Sequence, residues 1–113
     1  MQARAIQRYA RISPRKCGQV LQLIRGQGVE QAQTTLQFTP KRGARIVQKV
    51  LKSAVANALQ AGKVRLEELV VKEAVANAGP TMKRWMPRAQ GRATPVLKRM
   101  SHVAVIVATK ESL

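Results

Sequence analysis

Aspartate is absent from this chain, and glutamate occurs only five times, at positions 30, 67, 68, 73 and 111. So few carboxylates do not supply a two-metal hydrolytic site, and Glu67 and Glu68 are neighbours that a strand would point to opposite faces. His102 is the single histidine, and with no aspartate to orient it a catalytic triad cannot be assembled in the usual way. Cys17 stands alone, which excludes an internal disulfide and a cysteine-based zinc cluster and suits a reducing cytosol. Its place on an apolar helix face makes it a small buried hydrophobe rather than a reactive thiol. Aromatic residues number three, Tyr9, Phe38 and Trp85, so no helix carries the aromatic anchors common on membrane-surface helices. No apolar run reaches the roughly 18 residues that span a bilayer. The first residues, MQARAIQRYARIS, have charge without an apolar h-region, so no signal peptide is expected.

What the chain has in excess is positive charge. Within 113 residues, 21 Lys and Arg give a formal net charge of +16. That length fits one domain, which buries somewhat less than about 70% of its unfolded surface and holds a modest stability margin. Charge of one sign at this density opposes compactness, and a polyanion relieves it while releasing condensed counterions. Nucleic acid is the natural partner class. Residues 74–110 contain no acid at all.

The pattern along the chain is helices first and strands after. Residues 2–12 read as a short extended segment with Arg4, Arg8 and Arg11, placing Ile6, Ala10 and Ile12 on the side opposite Ala5 and Tyr9. Ser13-Pro14 is a helix start, with serine as N-cap and proline where its missing N–H costs nothing. Cys17, Val20, Leu21 and Ile24 follow on one face, and Gly26 reads as a left-handed stop. A second helix is expected over residues 29–38, with Val29, Ala32 and Leu36 inward. Thr39-Pro40 repeats the start signal for a third, ending near Ala61 at Gly62, with Ala44, Val47, Leu51, Ala54 and Ala58 inward. Beyond Gly62 the period falls to about 2 and β-branched residues become common. A strand over 66–78 puts Leu69, Val71 and Val75 on one side. Another over 96–109 sets Val103, Val105 and Val107 against Ala104 and Ile106.

Between those strands lies GPTMKRWMPRAQGRATP, dense in glycine and proline. A long antiparallel hairpin results, near 30 Å if each arm strand has about nine residues, and too thin to hold a core along its length. Its candidate RNA-binding residues are Lys83, Arg84, Arg88, Arg92, Lys98 and Arg99, with Trp85 either stacked on a base or packed on its own hairpin. Gly79 and Gly91 permit close approach to RNA backbone, while Pro80, Pro87 and Pro95 limit the unbound arm's disorder. Met82, Met86 and Met100 pack locally or against RNA. Arg4, Arg8, Arg11, Arg15 and Lys16 are further candidates, open equally to binding and to plain solvation, as are Lys41, Arg45, Lys49 and Lys52 on the long helix. His102 fits a packed or RNA-contacting strand position.

These residues resemble a known family, the bacterial form of protein twenty-two of the large ribosomal subunit. The resemblance rests on AIQRYARISPRK at 5–16, LIRG at 23–26, FTPKRGA at 38–44, VLKSAVANA at 50–58, GPTMKRWMPRAQGRA at 79–93 and KRMSHVAVIV at 98–107. It implies a compact domain on the outer surface of the subunit, with a hairpin running into 23S ribosomal RNA. The hairpin tip would line the nascent-peptide exit tunnel, over Met82, Lys83, Arg84, Arg88, Ala89, Gln90, Gly91 and Arg92. Implied partners are that RNA, other large-subunit proteins and the nascent polypeptide, with no membrane, cofactor or metal. A part in early subunit assembly and an influence on tunnel-binding macrolides are implied as well. Thr94-Pro95-Val96 departs from an acid followed by a basic or aliphatic stretch, and Trp85 and Met86 replace smaller or more basic residues.

The expected fold is therefore α+β, three helices packed on a small antiparallel sheet with a long protruding β-hairpin. One domain spans 1–113, its globular part about 1–78 and 100–113 and its arm about 79–99. A ribosomal structural protein in the cytoplasm is the reading the sequence favours. A free regulator of helix-turn-helix type fits less well, because the long helix opens with Lys41, Arg42 and Gly43 and continues with small apolar residues instead of base-reading ones. An RNA-acting enzyme lacks its cluster of carboxylate, histidine or cysteine.

Overall fold

Ser13 and Pro14 start the first helix for the chemical reason their order suggests. In the computed structural model, which describes residues 2–62, 64–87 and 93–109, Ser13 is extended and its Oγ accepts the Lys16 N–H at 3.3 Å. Helix α1 (Pro14–Ile24) buries Cys17, Val20, Leu21 and Ile24 as one stripe. Gly26 ends it at φ +77, a left-handed conformation that a Cβ would strain. The end of α1 is clipped to the sheet there, because Gly26 N–H donates to the Val71 carbonyl at 3.0 Å and Val71 N–H to that of Gln27 at 2.9 Å.

Helix α2 (Val29–Gln37) buries Val29, Ala32 and Leu36 as expected. Its end corrects the reading of Thr39-Pro40. The Thr39 hydroxyl donates back to the Thr35 carbonyl at 2.6 Å, so the threonine closes α2 and does not open the next helix. Helix α3 (Arg42–Ala61) begins after Lys41 without a side-chain cap and stops at Gly62. Its inward stripe includes the five expected residues plus Val50 and Val55. At Gly43 an added Cβ would sit 2.8 Å from Ile12 Cδ1 and 3.3 Å from Val20 Cγ2, so α3 lies tightly on α1.

Three antiparallel strands, β1 (Gln2–Ala10), β2 (Leu69–Pro87) and β3 (Ala93–Thr109), form one sheet in the order β1-β3-β2. Residues Leu66–Glu68 form a 3-10 turn before β2, so Glu67 and Glu68 do not alternate along a strand. β3 is central, which suits the full burial of Val103, Val105 and Val107. Two register shifts overturn expected faces. Between Val71 and Glu73 an extra residue, Lys72, turns Ala74 inward and leaves Val75 38% exposed, away from Leu69 and Val71. Between Gln7 and Ala10 the chain passes through Tyr9 at φ 59, so Ala10 is buried while Ile6 is 44% exposed. The sequence had grouped Ile6 with Ala10 and Ile12. An even count of residues separates them, but the bulge breaks the alternation.

The helices cover one face of the sheet, and among the described residues every hydrophobic side chain buried between the layers is aliphatic or Cys17. Fully burying each large aliphatic contributes about 1.5–3 kcal/mol relative to leaving it exposed. Past Ser101, the last partner of β1, strands β2 and β3 continue as a pair from Thr81↔Arg99 to Pro87↔Ala93. The molecule is 65 Å along its longest axis and 25 and 19 Å across, with a radius of gyration of 17.0 Å against about 13 Å for a compact chain near this length. β3 starts at Ala93, earlier than the expected residue 96, and Pro95 pairs with Trp85 inside it. Proline is tolerated because, among the described residues, β3 is an edge strand at that level.

Candidate nucleic-acid interface

β1 carries its basic residues outward. Ala3 and Ala5 pack toward the core, so the alternation puts Arg4 on the outer sheet face, opposite Ile106 of β3. The Arg4 carbonyl accepts Asn57 Nδ2 at 3.0 Å, which ties the strand to α3 while leaving the guanidinium exposed. Arg8 and Arg11 are also exposed and flank the Tyr9 bulge. His102 holds that bulge in place. Its Nδ1 accepts the Tyr9 N–H at 3.2 Å, and the two rings meet edge to face at 5.1 Å between centroids. His102 is thus a positioning residue, which satisfies the packed alternative of the two the sequence left open.

A second basic surface forms where α1 and α3 meet. Arg15 and Lys16 are exposed in the first turn of α1, and Lys41, Arg42 and Arg45 at the start of α3. The close approach at Gly43 brings the two starts together. Lys41 Nζ donates to Gln19 Oε1 at 3.3 Å across them, and Arg45 donates to Gln48 Oε1 at 2.8 Å and to the Gln37 carbonyl at 3.1 Å. The partners are amides and a carbonyl, so these contacts orient the cations without cancelling their charge. Lys49 and Lys52 extend the exposed row along α3.

The arm is the third surface. Its register sets Arg99 opposite Thr81, Lys98 opposite Met82, Lys83 opposite Leu97, Arg84 opposite Val96 and Trp85 opposite Pro95. The ladder therefore spaces these residues along two adjacent strands at about 3.4 Å per residue. Arg99, at the root of the arm, is exposed. Gly79 lies at the irregularity between Ala78 and Thr81, where an added Cβ would crowd the Met100 carbonyl at 3.3 Å and His102 Cε1 at 3.4 Å. The expected tip residues Arg88, Ala89, Gln90, Gly91 and Arg92 lie outside the described residues.

The described acids lie away from the arm. Glu30 is in the first turn of α2, Glu67 and Glu68 are in the 3-10 turn, and Glu73 is near the start of β2, all toward the end of the sheet away from the arm. Glu30 also lines an open depression of about 460 Å³ with Gln33, Gln37, Gln48 and Lys52, so one carboxylate shares a depression with a lysine of the α3 row. Among the described residues no group of three or more His, Cys, Asp or Glu could hold a metal ion, and no helix is long and apolar enough to cross a membrane. Cys17 is fully buried, and desolvation pushes its thiol pKa up, which keeps it protonated and unreactive.

Sequence reasoning missed two structural participants. Arg25 was not singled out from the sequence, yet its Nε donates to the Ala74 carbonyl at 2.7 Å, just after the β2 bulge. The Tyr9–His102 pair joins residues 93 positions apart, a contact that no local pattern encodes.

What the fold and its surface define is a small, strongly basic structural protein, with an aliphatic core, a strand pair carried beyond it and exposed cations on β1, α1 and α3 and at the root of the arm. The family profile described as ribosomal protein L22p/L17e matches residues 5–108. Relatives named large ribosomal subunit protein uL22 include one from Thermoanaerobacter sp. (strain X514), 57% identical over 98% of this chain and 100% of its own length. Others come from Clostridioides difficile (strain 630), 50% identical over 98% and 100%, and Desulfovibrio desulfuricans (strain ATCC 27774 / DSM 6949 / MB), 53% identical over 96% of each. The chain belongs to the ribosomal protein L22p/L17e family. Its role is structural, as a protein of the large ribosomal subunit, and not that of an enzyme.

Proposed function

We propose that this chain binds 23S ribosomal RNA within the bacterial cytoplasm, assists assembly of the large subunit, and lines the nascent-peptide exit tunnel with its hairpin tip. The arm carries this reading. Two strands leave the core as a pair through Thr81↔Arg99 to Pro87↔Ala93, and no acid lies between Glu73 and Glu111. Among the described residues that pair has no third strand beside it, and folded RNA supplies both shape and charge. On this reading the chain is one domain, with the globular part about 1–78 and 100–113 and the arm about 79–99.

Lys83, Arg84, Arg88, Arg92, Lys98 and Arg99 neutralise phosphates along the arm, and Trp85 stacks or packs near its end. Met82, Lys83, Arg84 and the segment 88–92 form the tunnel-facing tip. Arg4, Arg8, Arg11, Arg15 and Lys16 contact RNA beside the globular part. Other large-subunit proteins adjoin that part, and the nascent polypeptide passes the tip. The mechanism is electrostatic and steric: cations hold RNA segments in place and the arm fills the gap between them.

Arg84→Ala and Arg88→Ala test it. Each is expected to weaken RNA binding about equally across base sequences and to reduce the slope of log affinity against log salt by roughly one. Strong loss of sequence discrimination from either change would overturn the reading in favour of a sequence-specific regulator.

A further inference from the structure

Among the described residues the hydrophobic core contains no aromatic ring, and Tyr9 and Phe38 stand outside it. Tyr9, 60% exposed, is engaged by His102. Phe38 is 77% exposed, the most exposed large hydrophobic residue described. A lone exposed apolar side chain needs no explanation in itself. Phe38 differs in its surroundings and in how firmly its backbone is held.

Its backbone is fixed at the C-terminus of α2. Phe38 N–H donates to the Thr34 carbonyl at 3.3 Å, and Thr39 bonds back to Leu36 through its N–H and to Thr35 through its hydroxyl. Next in the chain come Pro40, Lys41 and Arg42, all exposed. Arg45 reaches back to the carbonyl of Gln37, the residue before Phe38. No acid occurs from residue 31 to residue 66, and Glu30 stands at the other end of α2, about 12 Å along the helix axis. The corner thus offers a flat apolar face among cations, and among the described residues no hydrogen bond ties Lys41 or Arg45 to a carboxylate.

We propose that Phe38 stacks on an unpaired nucleobase of RNA while Lys41 and Arg42 take the adjoining phosphates. This rests on the RNA-binding reading above and extends it to a part of the surface, the α2–α3 corner, separate from the arm. Charge complementarity selects the occupant. A protein partner would cover Phe38 with apolar or acidic groups, whereas a nucleotide offers a π-face and a phosphate at the spacing of one side chain to the next. A paired A-form helix shows few base faces, so the ligand is a bulge, loop or strand end.

The test compares the full chain with Phe38→Leu and Phe38→Tyr on two labelled RNA hairpins, one fully paired and one with a single bulged adenosine. The wild-type chain is expected to prefer the bulged hairpin. Phe38→Leu loses that preference, on the order of tenfold, with the fully paired hairpin and the salt slope unchanged, and Phe38→Tyr retains it. Thermal melts matching wild type confirm that the leucine variant folds. If Phe38→Leu binds the bulged hairpin as wild type does, or weakens both hairpins equally, stacking is overturned, and a protein-facing role takes its place. Failure of the wild-type chain to bind either hairpin in a salt-dependent way would instead remove the RNA-binding reading itself.

Discussion

Ser101 is the single buried polar residue among those described, and its Oγ donates to the Ile12 carbonyl at 2.6 Å. That bond satisfies a backbone acceptor where the chain leaves β1 for α1. Ser101→Ala removes the donor and leaves the carbonyl desolvated, so a loss of about 1–3 kcal/mol is expected in denaturant unfolding. An unchanged midpoint would mean that the carbonyl finds another partner. At this scale the sequence was legible wherever a residue acts on its own neighbours. Ser13 as cap and Gly26 as left-handed stop need only a few residues of context. Tyr9 at positive φ was not legible, because the histidine that holds it comes from the far end of the chain. Thr39 was misread for a different reason: its hydroxyl can serve the helix behind it or the one ahead, and the sequence does not say which.

The bulges decide what the elements can do. Lys72 is the extra residue between the pairs Val71↔Val107 and Glu73↔Ile106. Deleting it is expected to leave the later register intact, since Glu73 would follow Val71 directly and Ala74 would still face inward opposite Val105. A melt lowered by only a few degrees would support this. Insertion of a second residue at the same place has the opposite consequence. Where the pairing slips by one residue to absorb it, Ala74 turns outward with each later residue of β2 moved to the other face, and the chain should lose its cooperative melt. Helices were legible at this scale because their apolar stripes repeat without interruption, as in Cys17, Val20, Leu21 and Ile24. Strand faces were legible only in β3, where Val103, Val105 and Val107 alternate unbroken. In β1 and β2 an added residue resets the count, and nothing in Ile6 or Val75 announces it.

At the scale of the whole molecule, stability is uneven by construction. Among the described residues, the core of buried side chains lies in the helices and in the part of the sheet they cover, while the strand pair continues past it. Hydrogen exchange of the free protein should therefore find the amides of Val47 and Leu51 slowest and those of Lys83, Arg84 and Trp85 much faster. Equal protection would mean that the arm is stable without a partner. The sequence revealed the arm through its missing acids and its glycines and prolines. It did not reveal that β3 is the middle strand, because strand order depends on how the N-terminal segment returns to the sheet. That order has one more consequence. β1 covers β3 only as far as Ser101, so along the arm β3 has an edge with no neighbour among the described residues. Open edges invite other chains to add to the ladder, and Pro95, Lys98 and Arg99 stand on this one. Proline offers no N–H to a newcomer, and like charge repels a second copy. An edge strand with proline and like charge at these positions is a poor template for a second copy of the chain.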